Sequence, residues 1–278
     1  MENAPIPRAL TIAGAAARGG AGIQADIKTF QELDVFGISV ITAIVANHPQ
    51  TKRGVYPQTL EAIEAQLHTI LQDIGVDAVK TGMLFTKEVI TRMAEALADS
   101  DVANLVVDPV MIGKMGSSLL KDDAIDALKS DLIPLAKIIT PNMPEASRLL
   151  ENEPLSTVDD LKMAAKALQR LGAECVLVNG GRLEGPAVDV LFDGKNTYLF
   201  EAPRIDTIHT NGAGCTYSAA ITAELAKGKT VPEAVEHAKK FITAAIRYSF
   251  GFKKGVGPTY HAAFGKYDEA SVKVTMET

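Results

Sequence analysis

The chain has 278 residues and a mass of 29.5 kDa, enough for one large α/β domain with a substantial core. Hydrophobic residues make up 47% and charged residues 22% of it, which excludes a disordered or fibrous protein. The formal net charge is −6 and no basic block occurs, so we expect no nucleic-acid partner and no attachment to an acidic membrane.

Apolar runs rich in Val, Ile and Leu alternate with amphipathic stretches along the chain. Such runs predict buried strands, and apolar residues at helical spacing predict helices. In chain order the predicted elements are strand 9–13, helix 21–33, strand 38–45, helix 59–72, strand 78–80, helix 87–97, strand 105–107, helix 122–128, strand 137–139, helix 158–171, strands 175–178, 188–192 and 197–200, and helices 213–226 and 231–248. The tail 271–276 is either an edge strand or a frayed end.

This alternation predicts an α/β fold in which a mainly parallel sheet carries helices on both faces. No linker-like segment interrupts it, so we expect a single domain over residues 1–278. The longest apolar runs, such as 38–46, are too short to span a bilayer, and residues 1–8 do not resemble a secretory signal. The two cysteines, Cys175 and Cys215, cannot form a disulfide framework, so we expect both to be reduced in a cytoplasmic protein.

The loop 14–22, after the first predicted strand, is rich in glycine. In a parallel sheet, ligands bind in loops at the carboxyl ends of the strands, and glycines let the backbone approach a ligand closely. The loop is neither a dinucleotide-binding G-x-G-x-x-G motif nor a P-loop. It therefore indicates either a ligand-binding loop or a tight turn between strand and helix.

A second glycine-rich segment, 210–218, opens a long apolar helix. Amides at Gly212, Ala213, Gly214 and Cys215 would point at one spot, where the helix dipole favours negative charge. This arrangement suits a phosphoryl group in transit. A cysteine at a helix start is expected to have a lowered pKa, which makes Cys215 a candidate base or nucleophile. The alternative is a glycine-capped helix start with a buried thiol.

The segment 140–146 also follows a predicted strand, and it carries Asn142 and Glu145 three residues apart. Oxygen ligands on one helix face can hold Mg²⁺ through waters and phosphates. The alternative is structural, with Asn142 as the N-cap and Glu145 facing the helix dipole. Lys80, at the end of another strand, is expected to pair with an acidic residue rather than with a phosphate.

Seven segments in chain order carry a resemblance to one family. They are TIAG (11–14), GGAGIQADIKTF (19–30), KTGML (80–84), VDPVM (107–111), TPN-x-x-EA (140–146), GG (180–181) and NGAGC (211–215). Together they resemble the ribokinase-like vitamin kinases, in the branch that holds hydroxymethylpyrimidine (phosphate) kinase and the similar bacterial pyridoxal kinases. The resemblance covers roughly residues 9–258.

The resemblance implies a three-layer α/β/α sandwich with a mainly parallel central sheet. It also implies Mg²⁺-dependent transfer of the ATP γ-phosphate to a primary alcohol on a small heteroaromatic ring, and a homodimer. Gly212, Ala213 and Gly214 would form an anion hole, with Cys215 as the base. The residues implied to bind ATP are Asp108, Asn142, Glu145, Gly181, Thr210 and, on a mobile cover at 113–119, Lys114. Asp108 and Glu145 would also hold the metal.

The chain departs from the family pattern on the substrate side. The family usually has an acidic residue where Ala16 stands, and Ala-Gln-Asn-Thr where Ala46, Asn47, His48 and Pro49 stand. The segment 108–114 looks more like the pyridoxal kinases. We therefore expect phosphorylation of a B6 vitamer (pyridoxal, pyridoxine or pyridoxamine) to its 5′-phosphate. Hydroxymethylpyrimidine or its phosphate is the alternative substrate.

Further alternatives concern the substrate contacts and the class of protein. The residues expected to contact the substrate are Gly14, Gly20, Ala46, Asn47, His48, Met83 and Met111. His48 is equally well explained as an ordinary loop histidine, and the two methionines as core residues. Loss of the acidic residue at Ala16 leaves a non-catalytic nucleotide or vitamin sensor open. A nucleoside or sugar kinase is disfavoured by Cys215, because those relatives carry aspartate there.

Overall fold

The computed structural model describes residues 5–51, 54–111, 120, 122–267 and 270–278. The strands in this part of the chain are β1 (Arg8–Ala16), β2 (Phe36–Val45), β3 (Val55–Pro57), β4 (Ala78–Thr81), β5 (Leu105–Val107), β6 (Ile138–Ile139), β7 (Cys175–Val178), β8 (Ala187–Phe192), β9 (Thr197–Ala202) and β10 (Lys273–Glu277). The α-helices are α1 (Ile23–Glu32), α2 (Leu60–Thr69), α3 (Lys87–Ala98), α4 (Asp122–Ala127), α5 (Met143–Leu150), α6 (Val158–Gln169), α7 (Ala213–Ala226), α8 (Val231–Arg247) and α9 (Ala263–Lys266).

These strands form one sheet in the order β10-β9-β8-β7-β6-β5-β4-β1-β2-β3. From β7 across to β2, neighbouring strands run parallel. Antiparallel pairs lie at both edges, where β3 pairs with β2 and the strands β8, β9 and β10 follow β7. The prediction of a mainly parallel sheet is confirmed.

The structure decides between the two alternatives for the tail, extends several predicted strands and adds β3, which the apolar runs did not predict. The tail is an edge strand, because β10 pairs with β9 and places Val274 opposite Phe200. β1 continues past the predicted end at residue 13 as far as Ala16, with an irregular register around Gly14. The glycine-rich loop therefore begins inside the sheet, because β2 runs beside β1 up to Val45.

Helices cover both faces of the sheet. Adjacent strand residues point to opposite faces. Leu10 accordingly packs in one core with Ile63 of α2 and Ile90 of α3, and this core also includes residues of α4, α5 and α6. Ala9 packs in the other core with Phe241 of α8, together with residues of α1 and α7. The three-layer α/β/α sandwich implied by the resemblance is confirmed.

Local sequence signals set several helix ends. The Thr59 and Thr86 side chains cap α2 and α3, since each accepts a hydrogen bond from the amide three residues on. The predicted helix 59–72 changes after Thr69 into one wider turn, Ile70–Ile74, which ends at Gly75 with a φ of 71°. No helix in the described ranges is long and apolar enough to cross a lipid bilayer.

A buried carboxylate joins the end of α7 to α8. Glu224 is fully buried, and its Oε1 lies 2.9 Å from the Nζ of Lys227 and 3.2 Å from the Nδ1 of His237. Lys229 pairs with its other oxygen. Burial acts to raise the pKa of Glu224, but the hydrogen bonds from His237 and the two lysines outweigh it and lower the pKa to about 2. The folded chain therefore favours the ionised carboxylate.

We expect Glu224 to make stability depend on acid pH. Because its pKa is lower in the folded chain than in the unfolded chain, its contribution is complete above about pH 5 and is lost as the pH falls toward 2. Glu224→Gln should lower the free energy of unfolding by about 1–2 kcal/mol at about pH 6. This value allows for the weakening of the ion pairs by solvent, because the side chains of both lysines are partly exposed. Urea unfolding should show that this difference narrows at about pH 3.

The control is Glu236→Gln, which breaks a more exposed pair with Lys240 on α8. Its effect should be small at both pH values. A stability difference between wild type and Glu224→Gln that does not change with pH would contradict the prediction.

Candidate active site

The two glycine-rich segments of the sequence meet beyond the carboxyl end of β1. Gly212 has a φ of 80°, and a Cβ built on it would lie 1.7 Å from the carbonyl oxygen of Gly20. A Cβ on Gly20 would in turn lie 2.5 Å from the Cβ of Pro258. Neither position has room for a side chain. The start of α7 therefore packs backbone against backbone on the loop after β1.

The first turn of α7 presents free amides. Gly212 is its N-cap, and the amide of Ala213 donates to the carbonyl of Thr210 within the turn. The amides of Gly214 and Cys215 come next, where a helix has no acceptor of its own and its dipole favours negative charge. The turn can therefore hold an anion, with the Ala213 amide used inside the turn rather than for the anion.

Gly214 itself indicates a ligand. It is exposed, its φ lies outside the left-handed region, and a Cβ built on it would meet no described atom within 4 Å. Neither the backbone nor the packing of the described residues requires glycine there. A phosphate that approaches these amides closely does require it. Gly181, in the loop after β7, has the same properties.

A buried charge network lies next to this turn. The Lys80 Nζ at the centre of the sheet is 3.2 Å from the Oδ2 of Asp26 on α1 and 3.6 Å from the Oδ2 of Asp108 after β5. Thr11 Oγ1 donates to Asp26 at 2.6 Å. Burial opposes the positive charge of Lys80, but the two carboxylates outweigh it and raise its pKa. The prediction that Lys80 pairs with an acid is confirmed.

Sequence reasoning missed two members of this network, Asp26 and Ser218. Asp26 is fully buried, and burial raises its pKa although Lys80 and Thr11 act against this effect. Its signal in the sequence was an acidic residue among the apolar positions Ile23, Ile27 and Phe30 of one helix face. Ser218 on α7 donates to the Asp108 Oδ2 at 2.9 Å, which ties α7 to the loop after β5.

The expectation of a lowered pKa for Cys215 is wrong. Burial raises the pKa of the thiol to about 12; the positive charge of Lys80 opposes this rise, and the charges of Asp108 and Asp26 add to it. The Gly22 amide also favours the thiolate through a hydrogen bond. The helix start does not compensate for removal of the sulfur from water beside two carboxylates.

Asn142 and Glu145 open α5 with a reciprocal cap. The Glu145 amide donates to Asn142 Oδ1, and the Asn142 amide donates to Glu145 Oε2, both at 3.0 Å. The structural alternative for this pair is thus confirmed. Glu145 is nevertheless buried, and burial followed by the negative charge of Asp108 raises its pKa. The carboxylates of Asp108 and Glu145 therefore repel each other.

This donor set fits Mg²⁺. Within the described ranges no cluster of three or more His, Cys, Asp or Glu side chains is suited to a metal ion. Mg²⁺ is usually held by one or two carboxylates together with waters and substrate phosphates. Asp108 and Glu145 supply two carboxylates, and a divalent cation between them would relieve their repulsion.

The loop after β7 borders the same region. The Asn179 amide donates to the Pro141 carbonyl at 2.9 Å, and Asn179 bridges to Asn142. Gly181 therefore follows a residue that contacts the start of α5. Lys114 and the cover at 113–119 lie outside the described residues.

On the substrate side, the structure brings only part of the predicted set together. A Cβ on Gly14 would lie 2.5 Å from the Cε of Met83, so these two residues are in contact. Met83 and Met111 are buried, and Met111 packs in the core of the α2–α6 face. Ala46 is half-buried and bonds through its amide to the Gly54 carbonyl.

Asn47 and His48 lie on the exposed loop after β2. The His48 Nδ1 accepts a hydrogen bond from the amide of Gln50 at 3.3 Å, as an ordinary loop histidine does. Both side chains are open to solvent.

The sequence pattern of the phosphomethylpyrimidine kinase family matches residues 17–260. The chain belongs to this family. Pyridoxine kinase of Bacillus subtilis is 50% identical over 260 residues, which cover 92% of this chain and 96% of that protein. Hydroxymethylpyrimidine/phosphomethylpyrimidine kinase of the same organism is 46% identical over 261 residues, which cover 93% and 96%.

A solved structure extends this similarity to three dimensions. Pyridoxal kinase from Staphylococcus aureus, in complex with AMP-PCP and pyridoxal, superposes with a TM-score of 0.92 at 39% identity. The match covers 99% of this chain and 100% of the other. The family and the kinase activity implied by the resemblance are thus shown, as is the ribokinase-like fold.

We expect Gly214→Ala to separate folding from ligand binding. The added methyl group meets no described atom and stays in a helix, so the free energy of unfolding should be unchanged or higher by about 0.5–1 kcal/mol. The methyl group would occupy the space over the first-turn amides, so the affinity for AMP-PCP should fall about tenfold, equal to about 1.4 kcal/mol. Calorimetric titration and urea unfolding measure the two effects.

The matched control is Gly265→Ala on α9. Gly265 is also exposed, has no positive φ, and has no described atom near a built Cβ. This variant should bind AMP-PCP as the wild type does. Equal binding by Gly214→Ala would show that no ligand approaches the start of α7.

Proposed function

We propose that the protein transfers the γ-phosphoryl group of ATP to the primary hydroxymethyl group of a B6 vitamer, giving the 5′-phosphate. The observation that carries this proposal is the start of α7. No described residue fills the space next to Gly214. This space lies over the Gly214 and Cys215 amides, beside the charge network of Lys80 and Asp108. The S. aureus pyridoxal kinase supports the proposal, because its structure holds pyridoxal together with the ATP analogue AMP-PCP.

Phosphoryl transfer requires positioning and charge stabilisation more than covalent chemistry. The Gly214 and Cys215 amides point along the α7 axis to the place where negative charge would develop on the transferred group. Asp108 is held by Ser218 and Lys80, and Glu145 by the cap of α5, so both carboxylates are oriented before any ligand binds. They would hold Mg²⁺, which when bound supplies positive charge to the phosphate oxygens.

Cys215 is the residue proposed to act on the attacking hydroxyl. Burial raises the pKa of its thiol and so favours the protonated form, whose first role is to orient the substrate hydroxyl through a hydrogen bond. Removal of the hydroxyl proton requires the thiolate. Lys80 and the Gly22 amide are the two groups that favour that form of the sulfur.

The preference for B6 vitamers over pyrimidines is inferred from the sequence, in which Ala16 and the segment 46–49 depart from the pyrimidine-kinase pattern. No acidic side chain is present at residue 16, and the Ala16 amide is bound by the Oε1 of Gln24 at 2.8 Å. Next to it, Gly14 packs against the thioether of Met83. Kinase activity on hydroxymethylpyrimidine or its phosphate is the second candidate, favoured by the family match and by the B. subtilis relative of that name.

A substrate panel tests the proposal. ADP release and product mass are measured with ATP, Mg²⁺ and each of pyridoxal, pyridoxine, pyridoxamine, hydroxymethylpyrimidine and its phosphate. We expect kcat/KM for at least one B6 vitamer to exceed that for either pyrimidine by about tenfold or more. The reverse order would establish the pyrimidine activity. Nucleotide binding without turnover of any of the five would favour a sensor.

We expect Cys215→Ala to lower kcat by about 10²–10⁴-fold, the usual contribution of a general base. The affinity for AMP-PCP should change little, because the α7 amides, Asp108 and Glu145 remain in place. The matched control is Cys175→Ala, since Cys175 is a free cysteine buried at the start of β7. That variant should keep the wild-type kcat. Full turnover by Cys215→Ala would show that its thiol has only a packing role.

A further inference from the structure

One arginine holds most of the loop between β7 and β8. Arg204, just after β9, donates from Nε to the Gly185 carbonyl, from Nη1 to the Gly181 carbonyl at 3.0 Å, and from Nη2 to the Leu183 carbonyl at 2.6 Å. A longer contact at 3.5 Å joins Nη2 to the Pro186 carbonyl. All three guanidinium nitrogens are thus used on one short stretch of backbone, which is referred to below as loop 180–186.

The other end of the loop is held from inside the protein. The Gly180 amide donates to Asp189 Oδ1 at 2.9 Å, and Asp189 Oδ2 lies 2.6 Å from the Nζ of Lys239 on α8. Both charged side chains are almost fully buried. A Cβ on Gly180 would lie 1.9 Å from the Val188 carbonyl oxygen, so the backbone sits directly on β8. A buried carboxylate therefore anchors the start of the loop, and Arg204 holds the rest.

This loop lies beside the candidate active site. It follows Asn179, whose side-chain amide donates to the Thr140 carbonyl at 3.0 Å and whose backbone pairs with the segment that starts α5. Gly181 is exposed and has open space where a side chain would be. Arg204 also begins the segment that runs from β9 to the N-cap of α7. One side chain thus connects the loop beside Asn142 with the chain that leads to Gly212.

We propose that Arg204 is a positioning residue for nucleotide binding: it holds loop 180–186 in the bound shape, with Gly181 open to the nucleotide. The inference rests on the proposed function, since it takes the ligand at this loop to be ATP. A loop already ordered before binding loses less conformational freedom when the ligand arrives, so its affinity is higher. Arg204 touches no reacting atom in this scheme, and its effect appears in nucleotide affinity rather than in kcat.

The shape of the guanidinium group decides between this role and a simple charge effect. Arginine carries five N–H donors in a planar fork and reaches several carbonyls at once. Lysine has the same charge, but its donors sit on one atom. If the positive charge alone attracted the nucleotide, lysine would replace Arg204. If the fork holds the loop, lysine would not.

The experiment compares Arg204→Ala, Arg204→Lys and Arg204→Gln with the wild type by calorimetric titration with AMP-PCP. Arg204→Ala should weaken AMP-PCP binding about tenfold, and Arg204→Lys should restore little of it. Hydrogen exchange of the amides at 181–185 should be faster in Arg204→Ala and Arg204→Lys, while that of β7 is unchanged. With saturating ATP, kcat should stay near the wild-type value. If Arg204→Ala folds poorly, Arg204→Gln provides the same comparison with one polar group retained.

Arg170→Ala is the control for loss of one positive charge. Arg170 is exposed at the end of α6, which lies toward the amino ends of the strands and away from the site. Wild-type affinity in Arg204→Ala, or full rescue by Arg204→Lys, would overturn the inference. The titration needs no vitamin, so a wild-type protein that binds AMP-PCP and phosphorylates no B6 vitamer contradicts the proposed function alone.

Discussion

The arrangement of the site depends on one buried positive charge. The Lys80 side chain is fully buried in the central strand β4, where an ammonium group is tolerated only if it is paired. Its partners come from distant parts of the chain, Asp26 on α1 and Asp108 after β5. Pairing this charge holds α1 and the β5 loop against β4. Loss of Lys80 would leave two carboxylates in the core without their shared positive partner, which is strongly destabilising.

Glycines then set the distance between α7 and this charge network. Gly20 and Gly212 allow two backbones to touch, and a side chain at either position would push α7 outward. Ser218 completes the connection, because it joins α7 directly to Asp108. Gly214 and Gly181 have a different explanation, since each has open space around it. Glycines required by packing thus build the site, whereas Gly214 lies over the free amides at the start of α7 without any packing requirement for glycine.

Cys215 shows how tertiary surroundings override a local signal. A helix start favours a thiolate, and from the sequence alone this is the only visible influence on the sulfur. In the folded chain, burial and the carboxylates of Asp108 and Asp26 raise its pKa despite the charge of Lys80. The carboxylates that orient the site therefore also favour the protonated form of the thiol. The protonation state of Cys215 therefore depends on the charges of Lys80, Asp108 and Asp26.

The sequence by itself determined the fold class, most strands and helices, the glycine-rich helix start at 210–218 and the pairing of Lys80 with an acid. These follow from apolar periodicity, turn residues and the cost of burying an unpaired charge, which are local or general properties. The tertiary structure alone identified Asp26, Ser218 and Arg204 as partners, and it decided that the tail is an edge strand. Such contacts depend on strand order and helix packing, which join residues far apart in the chain, and no local pattern contains that information.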